Sequence, residues 1–146
     1  MEITIPSTLS KASKAQYLGR HILAEFFECD SNVLNNPVLV EKFMTNAALE
    51  CGATIVQKCF HLFSPHGVSG VIIISESHLA IHTWPEFGYA AVDLFTCGEK
   101  CDPKVAYEFL KEKFNSKSTK YSQLNRGLMN TAEHVEHKPF EVCETF

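Results

Sequence analysis

Three apolar runs joined by very short connections lie between residues 68 and 97, and they limit the fold more than any other feature of the chain. The runs are 68–75, 78–84 and 89–97, and a Pro-Glu-Phe-Gly turn precedes the last one. Apolar runs of this length, bounded by turn residues, are typical of strands. Parallel neighbours need a crossover of a dozen or more residues, so connections this short require antiparallel neighbours. The stretch therefore predicts part of an antiparallel sheet.

Two segments combine helical periodicity with a capping signal at the start. Asn36 precedes the segment 37–51, which begins with Pro37 and has apolar residues at every third or fourth position. Asp102, followed by proline, opens a similar segment at 103–114. Further strands are predicted at 17–29, at 53–63 and, more weakly, at 119–124.

Strands and helices in this order predict an α+β fold, a two-layer α/β sandwich in which an antiparallel sheet carries its helices on one face. The run 68–75 is almost entirely apolar, so we expect it to be a central strand. The other face of the sheet then needs a cover. A second copy of the chain, in a homodimer, is the simplest cover for it.

Length and charge restrict the class of protein. The chain has 146 residues, 45% of them hydrophobic, which suits one domain at 17–127 between an N-terminal extension (1–16) and a polar tail (128–146). The net charge is −4 without a basic stripe, so nucleic-acid binding is not expected. No apolar run is long enough for a membrane span, and the N-terminus lacks a secretory signal, so we expect a cytoplasmic protein with no membrane association.

The six cysteines are expected to be reduced thiols in such a protein. Cys97 and Cys101 are separated by three residues, which is a weak metal or redox signal because the commoner motifs have two. A zinc site made of His78, His82, Cys97 and Cys101 is possible from residue types alone, but it is the less favoured explanation of these residues.

Strand alternation places reactive side chains on one face of the predicted sheet. On 78–84 one face carries His78, Ala80, His82 and Trp84, and on 89–97 one face carries Tyr89, Ala91, Asp93, Phe95 and Cys97. Imidazoles and a thiol can therefore approach the side of the sheet on which the Glu76–Ser77 turn lies. The register between the strands is not fixed by the sequence.

The segment SGVIIISESHLAIHTWPEFGYAAVDLFTCG resembles the prokaryotic S-adenosylmethionine decarboxylase proenzyme family. The resemblance extends from about Gly19 to about Gly127 and is most specific over 67–98. It implies a pyruvoyl-dependent enzyme that cuts itself between Glu76 and Ser77. In such a family the serine hydroxyl attacks the preceding carbonyl, the amide becomes an ester, and elimination leaves Ser77 as a pyruvoyl group.

The same resemblance assigns roles to individual residues. It implies that the pyruvoyl group forms a Schiff base with S-adenosylmethionine, without pyridoxal phosphate or a metal, in a homodimer whose sites use groups from both protomers. The product is the aminopropyl donor for spermidine synthesis. The implied roles in self-cleavage and decarboxylation are His82 as the base for self-cleavage, Ser69 as a hydrogen-bonding group in the same step, and Cys97 as the proton donor in decarboxylation. For the substrate, the resemblance implies that Phe63 stacks on adenine and that Glu86 accepts hydrogen bonds from the ribose hydroxyls. Trp84 is expected to form part of the wall of the substrate site or of the core.

Simpler explanations exist for each of these residues. Alone, Ser77 is a turn residue, His82 a packed histidine, Cys97 a small buried hydrophobe and Phe63 core filling. His78 and Cys101 are expected to be structural. Ala80 departs from the threonine of many relatives, which leaves room for an altered substrate. Two alternatives therefore stay open: a decarboxylase of ornithine or arginine with the same fold, and a non-catalytic homologue that remains one chain.

Overall fold

The computed structural model describes residues 16–75 and 77–129, which form six strands and three α-helices. The strands are β1 (Gln16–Phe27), β2 (Ile55–Leu62), β3 (Val68–Ile74), β4 (Ser77–Trp84), β5 (Tyr89–Cys97) and β6 (Ser118–Met129). The helices are α1 (Ser31–Leu34), α2 (Pro37–Glu50) and α3 (Pro103–Lys113), and a short 3-10 turn (Pro85–Phe87) joins β4 to β5. In the part of the chain described, none of the helices has the length and apolar character needed to span a membrane.

All six strands form one sheet with the order β2-β3-β4-β5-β1-β6, and every neighbouring pair is antiparallel. The antiparallel sheet with helices on one face is therefore confirmed. The run 68–75 forms an interior strand, as expected, because β3 pairs with β2 on one side and with β4 on the other. The middle of the sheet is formed by β4 and β5, since β1 returns to pair with β5 and then receives β6 on its other side.

The ends of the predicted domain differ from the structure. The weak strand expected at 119–124 is twelve residues long, because β6 pairs with β1 from Ser118↔Phe27 to Met129↔Gln16. Gln16 thus belongs to the sheet and not to the expected extension, and residues 128 and 129 do not belong to a tail. The remainder of the extension and of the tail lies outside the described residues.

Side-chain caps fix where the helices begin. Asn36 Oδ1 accepts hydrogen bonds from the backbone N–H groups of residues 38 and 39, both at 3.1 Å, and Asp102 Oδ1 accepts one from that of residue 104 at 3.0 Å. Both caps were predicted. Asp30 Oδ1 accepts similar bonds from residues 32 and 33 and caps the short helix α1.

The hydrophobic core lies between the sheet and its helices. The buried sheet residues are Ile22, Ala24 and Phe26 of β1, Val68, Ile72 and Ile74 of β3, Leu79 and Ile81 of β4, and Ala90, Val92 and Leu94 of β5. They pack with buried residues of the helical layer, chiefly Leu34, Val40, Met44, Ala47, Ala106, Leu110 and Phe114. The alternate residues of the same strands point the other way, to a side that the helices do not cover.

We call this second side of the sheet the open face. It carries His21, Leu23 and Glu25 of β1, Ser69, Val71 and Ile73 of β3, His78, Ala80, His82 and Trp84 of β4, Tyr89, Ala91, Asp93, Phe95 and Cys97 of β5, and Leu124 and Arg126 of β6. The open face therefore combines apolar side chains with four of the candidate site residues, Ser69, His82, Trp84 and Cys97.

Thr83 connects the sheet to the helical layer by two buried hydrogen bonds. Its hydroxyl accepts a bond from the backbone N–H of Val68 at 2.8 Å and donates one to the carbonyl of Leu34 at 2.9 Å. Thr83 is 6% exposed, so neither backbone group has ready access to water. The hydroxyl thus satisfies two polar groups that would otherwise be buried without a partner.

We predict that Thr83→Val lowers the free energy of unfolding by about 1–3 kcal/mol, because it leaves those two backbone groups unsatisfied. The change is measured as a shift in the urea midpoint. Thr45→Val is the matched control, since the buried Thr45 hydroxyl has no hydrogen-bond partner among the described residues. An equal loss of stability in the two variants would contradict the role given to the Thr83 hydroxyl.

Candidate active site

The strand register places Ser69, His82, Trp84 and Cys97 on the open face, whereas Ser77, one residue before His78 in β4, does not share that face. In the β4–β5 pair His78 lies opposite Phe95, and His82 lies opposite Ala91. Ala80, the position at which the sequence departs from many relatives, lies opposite Asp93. The faces expected from strand alternation are therefore the ones observed, and the register that the sequence left undetermined is fixed by pairing.

Ser69 and His82 form a hydrogen-bonded pair on this face. They are directly opposed in the β3–β4 register, and Ser69 Oγ lies 2.8 Å from His82 Nδ1. His82 is exposed, and the bond to Ser69 restrains the orientation of its ring. The second nitrogen of the imidazole takes no part in this pair, which leaves it for proton transfer, as a general base requires.

Aromatic side chains extend this pair toward the end of the sheet. His61 of β2 lies opposite Ser69, and its ring centroid is 4.6 Å from that of Phe63. Trp84 lies beyond His82, with ring centroids 6.4 Å apart, and packs on Tyr89 at 5.3 Å. Phe63 and Trp84 are 49% and 39% exposed, so both offer ring surface to a ligand.

Glu86, in the 3-10 turn after β4, lies against a histidine that the sequence did not single out. Its Oε2 lies 3.0 Å from His66 Nε2. His66 belongs to the turn between β2 and β3, so two separate turns meet at this point. We refer to Phe63, Ser69, His82, Trp84 and Glu86 together as the His82 end of the site.

Ser77 and Cys97 lie at the opposite end of the same strands, which we call the Ser77 end. Ser77 is the first residue of β4, directly opposite Ile74, so two residues connect β3 to β4. The Ser77 hydroxyl donates a hydrogen bond to the carbonyl of Phe95 on the neighbouring strand. Glu76, the other residue of the predicted cleavage site, lies outside the described residues.

Cys97 ends β5 at a point where the neighbouring strand carries a glycine. Gly19 is its register partner, and a Cβ built on Gly19 would lie 2.6 Å from a ring carbon of Phe95 and 3.2 Å from Cys97 Sγ. Only glycine leaves room for both side chains there. The half-buried thiol of Cys97 therefore has its position set by β1 as well as by its own strand.

One chain does not bring all the predicted residues together. His82 follows Ser77 by five residues on one strand, which separates them by roughly 16 Å at the usual rise of a strand. The Ser77 end and the His82 end are thus two separate halves within a single subunit. Spacing along a strand could have indicated this separation from the sequence alone.

A cluster of polar side chains lies between the Ser77 end and the His82 end of the sheet. The possible ligand atoms of His21, His78 and Asp93 all lie within 4.8 Å of one another, and Arg126 stacks over Phe95 at 4.6 Å and approaches His21 Nδ1 at 3.3 Å. Burial lowers the pKa of His21 from its ordinary value of 6.5. Asp93 opposes this shift, and Arg126 and His78 add to it.

The zinc set considered from residue types does not converge. Cys101 is buried beside Cys51, with the sulfur atoms 2.7 Å apart, whereas His78 and His82 project from the open face. The His78 ring packs against that of Phe95, with ring centroids 5.7 Å apart.

Comparisons with known proteins give a consistent result. Residues 20–127 match the family model described as S-adenosylmethionine decarboxylase. The S-adenosylmethionine decarboxylase proenzyme of Thermotoga maritima is 59% identical over 126 residues, 86% of this chain and 97% of that protein. The proenzyme of Acetivibrio thermocellus is 59% identical over 111 residues, 76% of this chain and 90% of that protein. The crystal structure of the adenosylmethionine decarboxylase from Aquifex aeolicus matches with a TM-score of 0.77 and 30% identity, covering 84% of this chain and all of that one.

We predict that His21→Gln weakens the loss of stability on acidification. Because the pKa of His21 is lowered in the folded state, its stabilising contribution is present above pH 6.5 and is lost as the pH falls through the lowered pKa. The measurement is the urea midpoint at pH 7.5 and at pH 5. His61→Gln, at an exposed histidine of β2, is the control. If the stability of His21→Gln depended on pH as the wild type does, the contribution to acid sensitivity given to His21 would be refuted.

Proposed function

We propose a mechanism from one premise, that the chain belongs to the S-adenosylmethionine decarboxylase family. Its activity is the decarboxylation of S-adenosylmethionine, and the product is the aminopropyl donor for spermidine synthesis. The proposal concerns which residues perform this reaction and how two subunits share them. The observation that carries it is the division of the site residues between the two ends of one strand.

Self-cleavage at the Glu76–Ser77 bond is the first step of the proposal. The Ser77 hydroxyl adds to the carbonyl carbon of Glu76, and the amide becomes an ester with a free amine on residue 77. A base then removes the Cα proton of residue 77, and the ester oxygen leaves with Glu76 as a carboxylate. Hydrolysis of the resulting enamine releases ammonia and leaves a ketone. Two chains of 76 and 70 residues result.

The position of Ser77 suits the residue that follows the cut, because the bond before it lies in a turn and the backbone after it lies in a strand. β4 begins at Ser77, so the strand holds the backbone that follows the cut, while the connection before it is only two residues long. A pyruvoyl group at this position supplies a ketone that condenses with the substrate amine and accepts the electron pair released with carbon dioxide. Cys97, at the same end of the sheet, is the proposed proton donor to the carbon that loses carbon dioxide.

His82 is the proposed base for the elimination, and it acts on the Ser77 of a second subunit. Its distance of roughly 16 Å from Ser77 along the same strand excludes direct proton transfer within one subunit. In a homodimer with the two open faces packed together, a twofold axis would set the His82 end of one sheet against the Ser77 end of the other. Ser69 would then orient the imidazole from its own subunit.

The composition of the open face supports this homodimer. Leu23, Ile73, Trp84 and Leu124 are 41%, 43%, 39% and 50% exposed in the single chain. Four large apolar side chains on one face of a sheet that has helices only on its other side favour burial against a partner. A second copy of the same face would also enclose the substrate site between the sheets.

Residues of the His82 end are proposed to hold the nucleoside. Phe63 provides an exposed ring for adenine, and Glu86 provides a carboxylate that accepts bonds from both hydroxyls of the ribose. The contact with His66 Nε2 at 3.0 Å restrains the orientation of this carboxylate. Trp84 forms the adjoining wall. Ornithine and arginine lack a nucleoside, so these groups favour S-adenosylmethionine over the alternative substrates.

Intact mass combined with a substrate assay tests the function. We expect the purified protein to contain chains of 76 and 70 residues, the second without a free amine, and to release carbon dioxide from S-adenosylmethionine but not from ornithine or arginine. Borohydride added with the substrate should trap an adduct on the second chain. A single full-length mass without decarboxylation would support the non-catalytic homologue, and activity on ornithine or arginine would support the other alternative.

We predict that Ser77→Ala and His82→Ala each remain largely uncleaved as homodimers but complement each other when coexpressed. A mixed dimer contains one complete site, formed by Ser77 of the His82→Ala chain and His82 of the Ser77→Ala chain. Loss of a general base should slow cleavage by about 10²–10⁴-fold in the His82→Ala homodimer. Tags of different mass on the two chains identify which one is cut.

Only the His82→Ala chain should be cut in the mixed sample. Cleavage of that chain at the same slow rate in mixed and unmixed samples would overturn the sharing of sites between subunits. Failure of the wild-type chain to cleave would instead overturn self-processing itself.

We predict that Glu86→Gln raises the KM for S-adenosylmethionine by roughly 10–100-fold, because an amide cannot accept two charge-assisted hydrogen bonds from the diol. Steady-state kinetics on the cleaved enzyme measure this change, and kcat should change less. Glu50→Gln, at an exposed position at the end of α2, is the control. An unchanged KM would remove Glu86 from the substrate site.

A further inference from the structure

Two cysteine thiols lie in contact in the helical layer, away from the open face. Cys51 follows α2 and Cys101 precedes α3, and their sulfur atoms are 2.7 Å apart. Neither is part of a disulfide in the structure, and both are buried, with 4% and 6% exposure. The sulfurs would have to approach by less than about 1 Å to reach the bonded distance of about 2.05 Å.

The backbone around the two thiols is fixed by contacts between their segments and by a contact from β1. The N–H of Asp102 donates to the carbonyl of Cys51 at 3.2 Å, and Arg20 Nη2 donates to the carbonyl of Cys101 at 3.0 Å. Gly52 has a φ of +91°, and a Cβ there would lie 2.9 Å from the carbonyl oxygen of Lys100. The two segments are thus already held at close approach before any covalent bond forms.

The two thiols differ in the direction of their pKa shifts. The hydrogen bond from Cys101 lowers the pKa of Cys51, and the same bond, together with burial, raises the pKa of Cys101. Cys51 is therefore the thiol that ionises first, and the thiolate is the reactive form in disulfide exchange. Cys29 is also buried, and burial raises its pKa, but it does not lie against another cysteine within the described residues.

We propose that Cys51 and Cys101 form a disulfide that joins the two chains produced by self-cleavage. The bond itself follows from the contact of the two thiols, and its role as a link between chains rests on the proposed cut between residues 76 and 77. Cys51 belongs to the first of the two chains, and Cys101 belongs to the second. The two products would then remain one covalent molecule.

The bond forms by exchange with a low-molecular-weight disulfide such as oxidised glutathione. When local opening exposes Cys51, its thiolate attacks one sulfur of that disulfide and releases the other half as a thiolate. The Cys101 sulfur, after losing its proton, then attacks the Cys51 sulfur of the mixed disulfide and releases the second half. The protein loses two electrons and two protons, and the small disulfide becomes two small thiols.

Lysine-specific digestion of the alkylated protein detects this bond without ambiguity. Cleavage after Lys42, Lys58, Lys100 and Lys104 isolates Cys51 in the peptide 43–58 and Cys101 in the peptide 101–104, separate from Cys97. After equilibration of the full-length protein with oxidised glutathione, we expect these two peptides to be linked. Without reductant the cleaved protein should show one mass, the sum of its chains less two hydrogens, and with reductant it should show two.

The functional readout is recovery of activity after unfolding in urea and dilution at one protein concentration. Reduction turns rejoining of the chains into a bimolecular step, so we expect recovery to fall by about tenfold relative to the oxidised protein. Cys101→Ala should behave like the reduced protein with or without glutathione, and Cys29→Ala should behave like the wild type.

Quantitative alkylation of Cys51 and Cys101 after oxidation, or a bond from either residue to another cysteine, would overturn the proposed disulfide. If the chain is never cut, the peptides 43–58 and 101–104 still report the bond in the uncleaved protein, and only the link between chains is refuted. Equal recovery in the oxidised and reduced proteins would refute the functional role while leaving the bond.

Discussion

The structure depends on antiparallel pairing between strands whose two faces differ in chemistry. In β4 the residues Leu79 and Ile81 are fully buried against the helices, and their neighbours His78 and His82 face the other way. A shift of one residue in register would bury the imidazoles and expose the core. The hydrophobic effect on one side of the sheet therefore fixes the positions of reactive groups on the other side.

This constraint explains why the site is divided between two ends of the sheet. Strands present groups in fixed rows, and residues five apart on one strand cannot converge. Two sheets that face each other across a twofold axis can bring such residues together, because the axis places the His82 end of one sheet against the Ser77 end of the other. In the proposed homodimer, one subunit would supply Ser69 and His82, and the other would supply Ser77 and Cys97.

The sequence was sufficient where local signals were strong. The bounds of β5 agree with the expected 89–97, where the alternation of its residues is unbroken, and the caps at Asn36 and Asp102 marked the starts of α2 and α3. Prediction was poorer where structure comes from distant pairing. The full length of β6 is set by β1 and not by its own polar sequence, and the pairing of His66 with Glu86 depends on two turns that are separate in the chain. The contact of Cys51 with Cys101 spans 50 positions and has no local signal.

The strand order has a consequence for a protein cut between residues 76 and 77. The first product would contribute β1, β2 and β3, and the second would contribute β4, β5 and β6. Because β1 lies between β5 and β6, the two products would be interwoven within one sheet and not merely placed side by side. The two products could separate only if the hydrogen bonds on both edges of β1 were broken. The severed polypeptide would therefore persist as a single folding unit.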